Sequence, residues 1–164
     1  MVNEKFETII TDYQGLLYRL CYAYLDNKWE IEDLLQEIYI NIWNNIEKFR
    51  GEAKISTWIY RIGVNTILMY KRSEKKKQHG LEVYKSEMHL EADEKYDEEE
   101  KLNKLKQCIN QLANSDRILV SFMLEGLTYE EIADVLGITL NNVGVKINRV
   151  KKRLTKLMED LNHE

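Results

Sequence analysis

The chain is 164 residues long, enough for one ordinary domain or two small ones, and 44% of those residues are apolar, which can fill real cores. Charged residues make up 32%, and no apolar run approaches the roughly 18 residues of a spanning helix, so a membrane-inserted protein is excluded. The net charge of -4 argues at first against a nucleic-acid partner, yet residues 81–100 carry 2 basic and 9 acidic side chains, whereas 1–80 and 101–164 are net +1 and +2. The absence of proline favours helices, whose interiors exclude it, and implies short polar connections. The first residues, Met1 to Glu7, lack a cationic-then-apolar run, so no signal peptide is expected. Cys21 and Cys108, far apart in apolar helical stretches, read as reduced core thiols of a cytoplasmic protein.

In chain order, Phe6, Ile9, Ile10, Tyr13, Leu16, Leu17, Leu20 and Tyr24 recur at helical steps and predict a first helix that breaks at Asp26-Asn27. A second helix carries Ile31, Leu34, Leu35, Ile38, Ile42 and Ile46. Phe49 to Ala53 form a loop closed by glycine, and a third helix starts near Ser56. Trp58, Ile59, Ile62, Leu68 and Met69 give it a core face. From about residue 78 to 100 the apolar pattern collapses and acidic residues dominate, which predicts a flexible linker with a helical end, because so little burial cannot offset ordering entropy. Leu105, Ile109 and Leu112 open a second unit, followed by a helix with Ile118, Leu119, Phe122 and Met123 that ends at Gly126.

Thr128 and Glu131 then have capping-box spacing, Ile132, small Ala133 and Leu136 face inward, and Gly137 suits a left-handed turn residue. Thr139 can cap a last helix with Val143, Ile147, Val150 and Leu154 on one stripe, completing a helix-turn-helix. Leu136 to Met158 contain no acidic residue, while Lys146, Arg149, Lys151, Lys152, Arg153 and Lys156 are basic. Alone, such a run fits a solvated helix face; with both caps, the turn glycine and the second helix in register it reads as a DNA-binding surface. Asn141, Asn142, Gly144, Val145 and Lys146 would meet base edges, and Arg149 and Lys152 would hold phosphates.

Asp33-Leu34-Leu35-Gln36-Glu37-Ile38-Tyr39-Ile40-Asn41-Ile42-Trp43, followed by Phe49-Arg50-Gly51-Glu52-Ala53 and by Thr57-Trp58-Ile59-Tyr60-Arg61-Ile62-Gly63-Val64-Asn65, resembles the extracytoplasmic-function (ECF) family of bacterial RNA polymerase sigma factors. The family shows D-L-x-Q-E-x-F-x-x-x-W, F-x-G-x-A and T-W-L-Y-R-I-A-x-N in this order, and Glu131-Ile132-Ala133 with the basic tail matches its second domain. The resemblance covers nearly the whole chain. It implies an all-α fold with an N-terminal sigma-2-like domain (1–77), an acidic linker (78–100) and a C-terminal helix-turn-helix sigma-4-like domain (101–164), two tethered units that grip separate stretches of DNA.

What the resemblance implies for function is specific. Core RNA polymerase would dock on Asp33, Gln36, Glu37, Ile40, Asn41 and Trp43. The downstream, minus-ten promoter element would be captured as a single strand by Arg50, Gly51, Glu52, Lys54, Ser56, Thr57, Arg61, Asn65, Lys71 and Arg72. The upstream, minus-thirty-five element falls to the last helix. Trp58 reads as core packing; Tyr60 can serve either as core or as a stacking platform. Where the family often has T-V-K-S-R-L-x-R-A, this chain has Asn142 to Val150 with Gly144 and Val145 at the lysine and serine positions, so no upstream sequence preference carries over. The resemblance also implies an anti-sigma partner, often membrane-anchored. A stand-alone helix-turn-helix regulator without polymerase binding is the alternative. No cofactor, metal, small-molecule substrate or catalysis is expected: His79, His89 and His163 lack partnering cysteine spacing, and no P-loop, G-x-S-x-G or H-E-x-x-H is present.

Overall fold

A computed structural model of the chain describes residues 2–25, 27–78 and 97–163. All regular elements among them are helical: α1 (Val2–Tyr24), α2 (Lys28–Asn45), a short 3-10 turn (Ile46–Lys48), α3 (Ile55–Gln78), α4 (Asp97–Asn110), α5 (Asn114–Leu124), α6 (Tyr129–Leu136) and α7 (Leu140–Asn162). Most of the expected acidic linker, residues 79–96, lies outside the described residues. Its two edges are helical, since Gln78 ends α3 and Asp97 opens α4.

Helices α1, α2 and α3 pack together around Leu17, Leu20, Cys21, Ile31, Leu34, Ile38, Ile42, Ile59 and Ile67, all essentially inaccessible to water. Asn27 starts α2 by accepting a hydrogen bond from the Trp29 amide at 3.0 Å. The expected core face of α3 is shifted in register. Leu68 and Met69 are 42% and 65% exposed, and the buried positions are Ile59, Tyr60, Val64 and Ile67 with Thr57 and Thr66. The centre of the true inward stripe is Gly63, which carries no hydrophobic signal. A Cβ at Gly63 would lie 2.9 Å from Leu20 Cδ2, so its absence is what lets α3 approach α1 so closely.

In the second unit, α4, α5 and α6 pack on α7 through Cys108, Leu112, Ile118, Leu119, Phe122, Ile132, Val143, Ile147 and Val150. Both cysteines are buried and free, and burial pushes the Cys21 thiol up to about 12, which leaves it protonated and inert at neutral pH. The capping box of α6 is fully formed: Thr128 Oγ1 accepts from the Glu131 amide at 3.2 Å, and Glu131 Oε2 accepts from the Thr128 amide at 2.9 Å. Gly137 ends α6 with φ of 65°, a left-handed value that a side chain would strain. Thr139 caps α7 by accepting from the Asn142 amide at 3.2 Å. Replacing Thr128 by Ala is expected to cost about 1 kcal/mol, read as a lower urea midpoint with an unchanged denaturant slope.

The two units are not held apart. Helix α5 packs on α1 and α6 on α3, and the Tyr60 ring meets Phe122 edge-on, centroids 5.2 Å apart, joining the two cores. The relative placement of the two units, which the sequence alone left open, is thus a packed one. Yet Asn65 and Lys146, the residues expected at the centres of the two DNA-reading faces, both stay exposed.

Candidate nucleic-acid and polymerase interfaces

The outward side of the helix-turn-helix is fixed by its inward side. With Val143, Ile147 and Val150 buried, helical geometry turns Leu140, Asn141, Gly144, Val145, Asn148, Arg149 and Lys152 outward, where they line an open groove of about 850 Å³. Val145 is 62% exposed, which gives the groove an apolar spot suited to a thymine methyl. Arg149 is not left to wander: its Nη2 donates to Asp116 Oδ1 at 2.8 Å, and Asp116 is itself buried on α5. Asn142, Lys146, Lys151 and Arg153 are also exposed on α7. Sequence reading missed Leu140 and Asn148. The available signal was the four-residue spacing of positions 140, 144, 148 and 152, the complement of the buried stripe.

A second cleft, of about 410 Å³, lies between α2 and α3 and is lined by Asn41, Asn45, Lys48, Trp58, Arg61, Ile62, Asn65, Thr66 and Met69. Its floor is a relay of side-chain hydrogen bonds. Thr66 donates to the Ile62 carbonyl at 2.7 Å, Asn41 Nδ2 donates to Thr66 Oγ1 at 3.0 Å, Asn45 Nδ2 donates to the Asn41 carbonyl at 2.8 Å, and Lys48 reaches Asn45 Oδ1 at 3.3 Å. Such a relay fixes the rotamers beneath Asn65, whose amide is open to solvent and can both donate and accept. Trp58 is half-buried and leans on Phe49 with ring centroids 5.1 Å apart, which ties the loop of Arg50, Gly51 and Glu52 to the mouth of the cleft.

Several expected positions sit elsewhere. Thr57 is 5% exposed and belongs to the core, while Ser56 is half-buried. Tyr60 is 4% exposed, and burial raises its hydroxyl pKa well above the ordinary tyrosine range, so it is core and not a stacking platform. Lys71 stands 6.0 Å over the Tyr24 ring; Arg72 is exposed. Lys54 and Arg61 turn toward α6: Lys54 Nζ pairs with Glu131 Oε1 at 3.0 Å, and Arg61 Nε donates to the Asp134 carbonyl at 2.7 Å. The Glu131 carboxyl is held below its ordinary pKa by the Thr128 amide and then by Lys54.

On the outer face of α2, Asp33, Gln36, Glu37 and Ile40 are exposed together, with Ile40 at 58% and Trp43 at 43%. Trp43 is braced edge-on by Phe6, centroids 5.1 Å apart. Asn41 leaves this face. It lies about 100° round the helix from Ile40, and its amide belongs to the α2–α3 cleft.

Two family matches and several relatives cover this architecture. Residues 9–77 match sigma-70 region 2 and residues 102–154 match sigma-70 region 4. The ECF RNA polymerase sigma factor SigW of Bacillus subtilis is 32% identical over 97% of this chain and 91% of its own. The chain belongs to the ECF family of RNA polymerase sigma factors. The ECF sigma-E factor of Haemophilus influenzae is 26% identical to this sigma factor over 97% of the chain and 90% of the relative. In fold, it is similar to the sigma factor RpoE of Bartonella quintana, solved in complex with the anti-sigma factor NepR, with a TM-score of 0.72 and 19% identity over 95% of this chain and 98% of that one. The sigma factor thus directs RNA polymerase to promoters and starts transcription there, with α1–α3 as its region 2 and α4–α7 as its region 4.

Proposed function

We propose that this sigma factor divides promoter recognition among three surfaces. The outer face of α2, with Asp33, Gln36, Glu37, Ile40 and Trp43, docks on core polymerase; its mix of acidic, amide and apolar groups suits a reversible protein contact. The α2–α3 cleft with Arg50, Gly51, Glu52, Lys54, Arg61 and Asn65 takes the unpaired strand of the downstream element, Asn65 reading a base edge and the cations, with Lys71 and Arg72, following the backbone. The α7 groove, with Asn141, Asn142, Gly144, Val145, Lys146, Arg149 and Lys152, reads the upstream element in the major groove. Residues 1–77, 78–100 and 101–164 are then the downstream-element and polymerase-binding domain, the linker and the upstream-element domain. The chain acts as a cytoplasmic specificity subunit with no chemistry of its own. An anti-sigma factor, as in the Bartonella complex, would hold it inactive. Among the described residues no helix is long and apolar enough to cross a membrane.

The observation that carries this division is the exposed α7 groove, lined by a preset Arg149 and by Lys152. A holoenzyme with Lys146→Ala and Lys152→Ala is expected to bind a promoter fragment with a salt dependence shallower by roughly 1 unit of slope per lysine, with core-polymerase affinity unchanged. The promoter comes from transcript starts mapped after overproduction. An unaltered slope would remove α7 from the DNA.

A further inference from the structure

From Leu140 to Met158 α7 carries no acidic residue, yet one carboxylate from another helix is set against it. Asp116 Oδ1 accepts a hydrogen bond from Arg149 Nη2 at 2.8 Å. The two ends of this pair differ: the Asp116 side chain is 12% exposed and that of Arg149 61%. Beside a DNA-binding surface a carboxylate repels the ligand, so charge alone argues against an acid in this place. Asp116 is also rigidly mounted. It lies in the first turn of α5, its amide bonded to the Ala113 carbonyl at 2.9 Å. Its neighbour Arg117 ties the start of α5 to the end of α4, donating to the Asn110 carbonyl at 2.8 Å and the Leu112 carbonyl at 3.3 Å. Ile118, Leu119 and Phe122 bury α5 in the same core as Val143, Ile147 and Val150 of α7.

An unbraced arginine gives up its rotamer freedom when it binds, whereas one already held on a carboxylate has lost much of it in the free protein. Asp116 occupies one N–H of Arg149, and the exposed remainder of the guanidinium fork lines the α7 groove with donors to spare. We infer that Asp116 is a positioning residue for upstream-element recognition: without touching DNA, it holds Arg149 as a preset phosphate clamp and so fixes the register of α7 in the major groove. Phosphate contacts set that register, and base-edge contacts from Asn141, Asn142 and Val145 form only when it is right. The inference rests on the reading of α7 as the upstream-element surface.

The test is promoter binding by holoenzyme at one fixed salt concentration, with urea midpoint and core-polymerase affinity measured for each variant. Asp116→Ala removes the acceptor, and Asp116→Asn keeps its size but not its charge. Both remove a negative charge, which by electrostatics alone tightens DNA binding. Glu159→Ala, at an exposed acid further along α7, makes the same charge change away from the pair and is expected to bind as tightly as the parent or more so. Asp116→Ala is expected instead to bind about five- to tenfold more weakly, Asp116→Asn by a smaller factor, and Arg149→Ala about tenfold more weakly. In the Arg149→Ala background, Asp116→Ala should add no further loss, because nothing is left to position. Damage to the fold would carry over into that background, and a loss that does so overturns the inference. Asp116→Ala binding as tightly as the parent, with Arg149→Ala weak, also overturns it while leaving α7 on the DNA. Normal binding by Arg149→Ala would remove Arg149 from the DNA contacts, and the positioning role with it.

Discussion

Replacing Asn65 by Ala is expected to lower promoter-specific initiation by about one to two orders of magnitude while leaving holoenzyme assembly intact. The loss follows from one base-edge contact, worth roughly 1–3 kcal/mol when both a donor and an acceptor are removed. Asn65 is exposed on α3, and the residues beneath it are locked by the relay from Lys48 through Asn45 and Asn41 to Thr66, so no neighbour is free to replace its amide. Run-off transcription with reconstituted holoenzyme reads the loss, and a core-polymerase pull-down checks assembly. Trp43→Ala should give the opposite pattern, with weakened assembly and, at saturating sigma factor, near-normal initiation. Equal initiation by Asn65→Ala and the parent would show that the α2–α3 cleft takes no base.

Phe122→Ala should cost about 3–5 kcal/mol in folding stability, a large part of the roughly 5–15 kcal/mol that holds a domain together. Phe122 has no exposed surface, and it contributes to two cores at once, that of α5–α7 and, through its edge-on contact with Tyr60, that of α1–α3. Truncation leaves a cavity that neither unit can fill alone. Urea unfolding followed by circular dichroism measures the loss. Leu124→Ala, two positions on and 73% exposed, is the matched control and should move the midpoint by less than about 0.5 kcal/mol. Similar shifts for the two would mean that the seam contributes nothing to stability.

The elements were legible because each is announced by local chemistry. The Thr128–Glu131 box, the turn at Gly137 and the Thr139 cap are all read within a few residues, and all three form as expected. The α3 register was misread for an equally local reason. Gly63 sits at the centre of the buried stripe and is silent to hydrophobic periodicity, so Leu68 and Met69 drew the face toward solvent. Asn41 and Thr57 were assigned by motif, and motif spacing does not say on which side of a helix a residue lies. The seam was invisible for a different reason. Lys54 and Glu131 are 77 positions apart, and Arg61 and Asp134 are 73 apart. Nothing in either segment alone marks its partner. Tyr60 and Phe122 each fit a core, and only the assembled fold shows that it is a shared one.

At Gly144 a Cβ would meet no atom within 4 Å, although the position lines the α7 groove. On the proposed reading of α7, a single codon change there would bring a new side chain to a promoter without disturbing any packed neighbour, and helix propensity would favour almost any replacement over glycine. The set of genes this protein switches on can therefore drift while its scaffold stays the same.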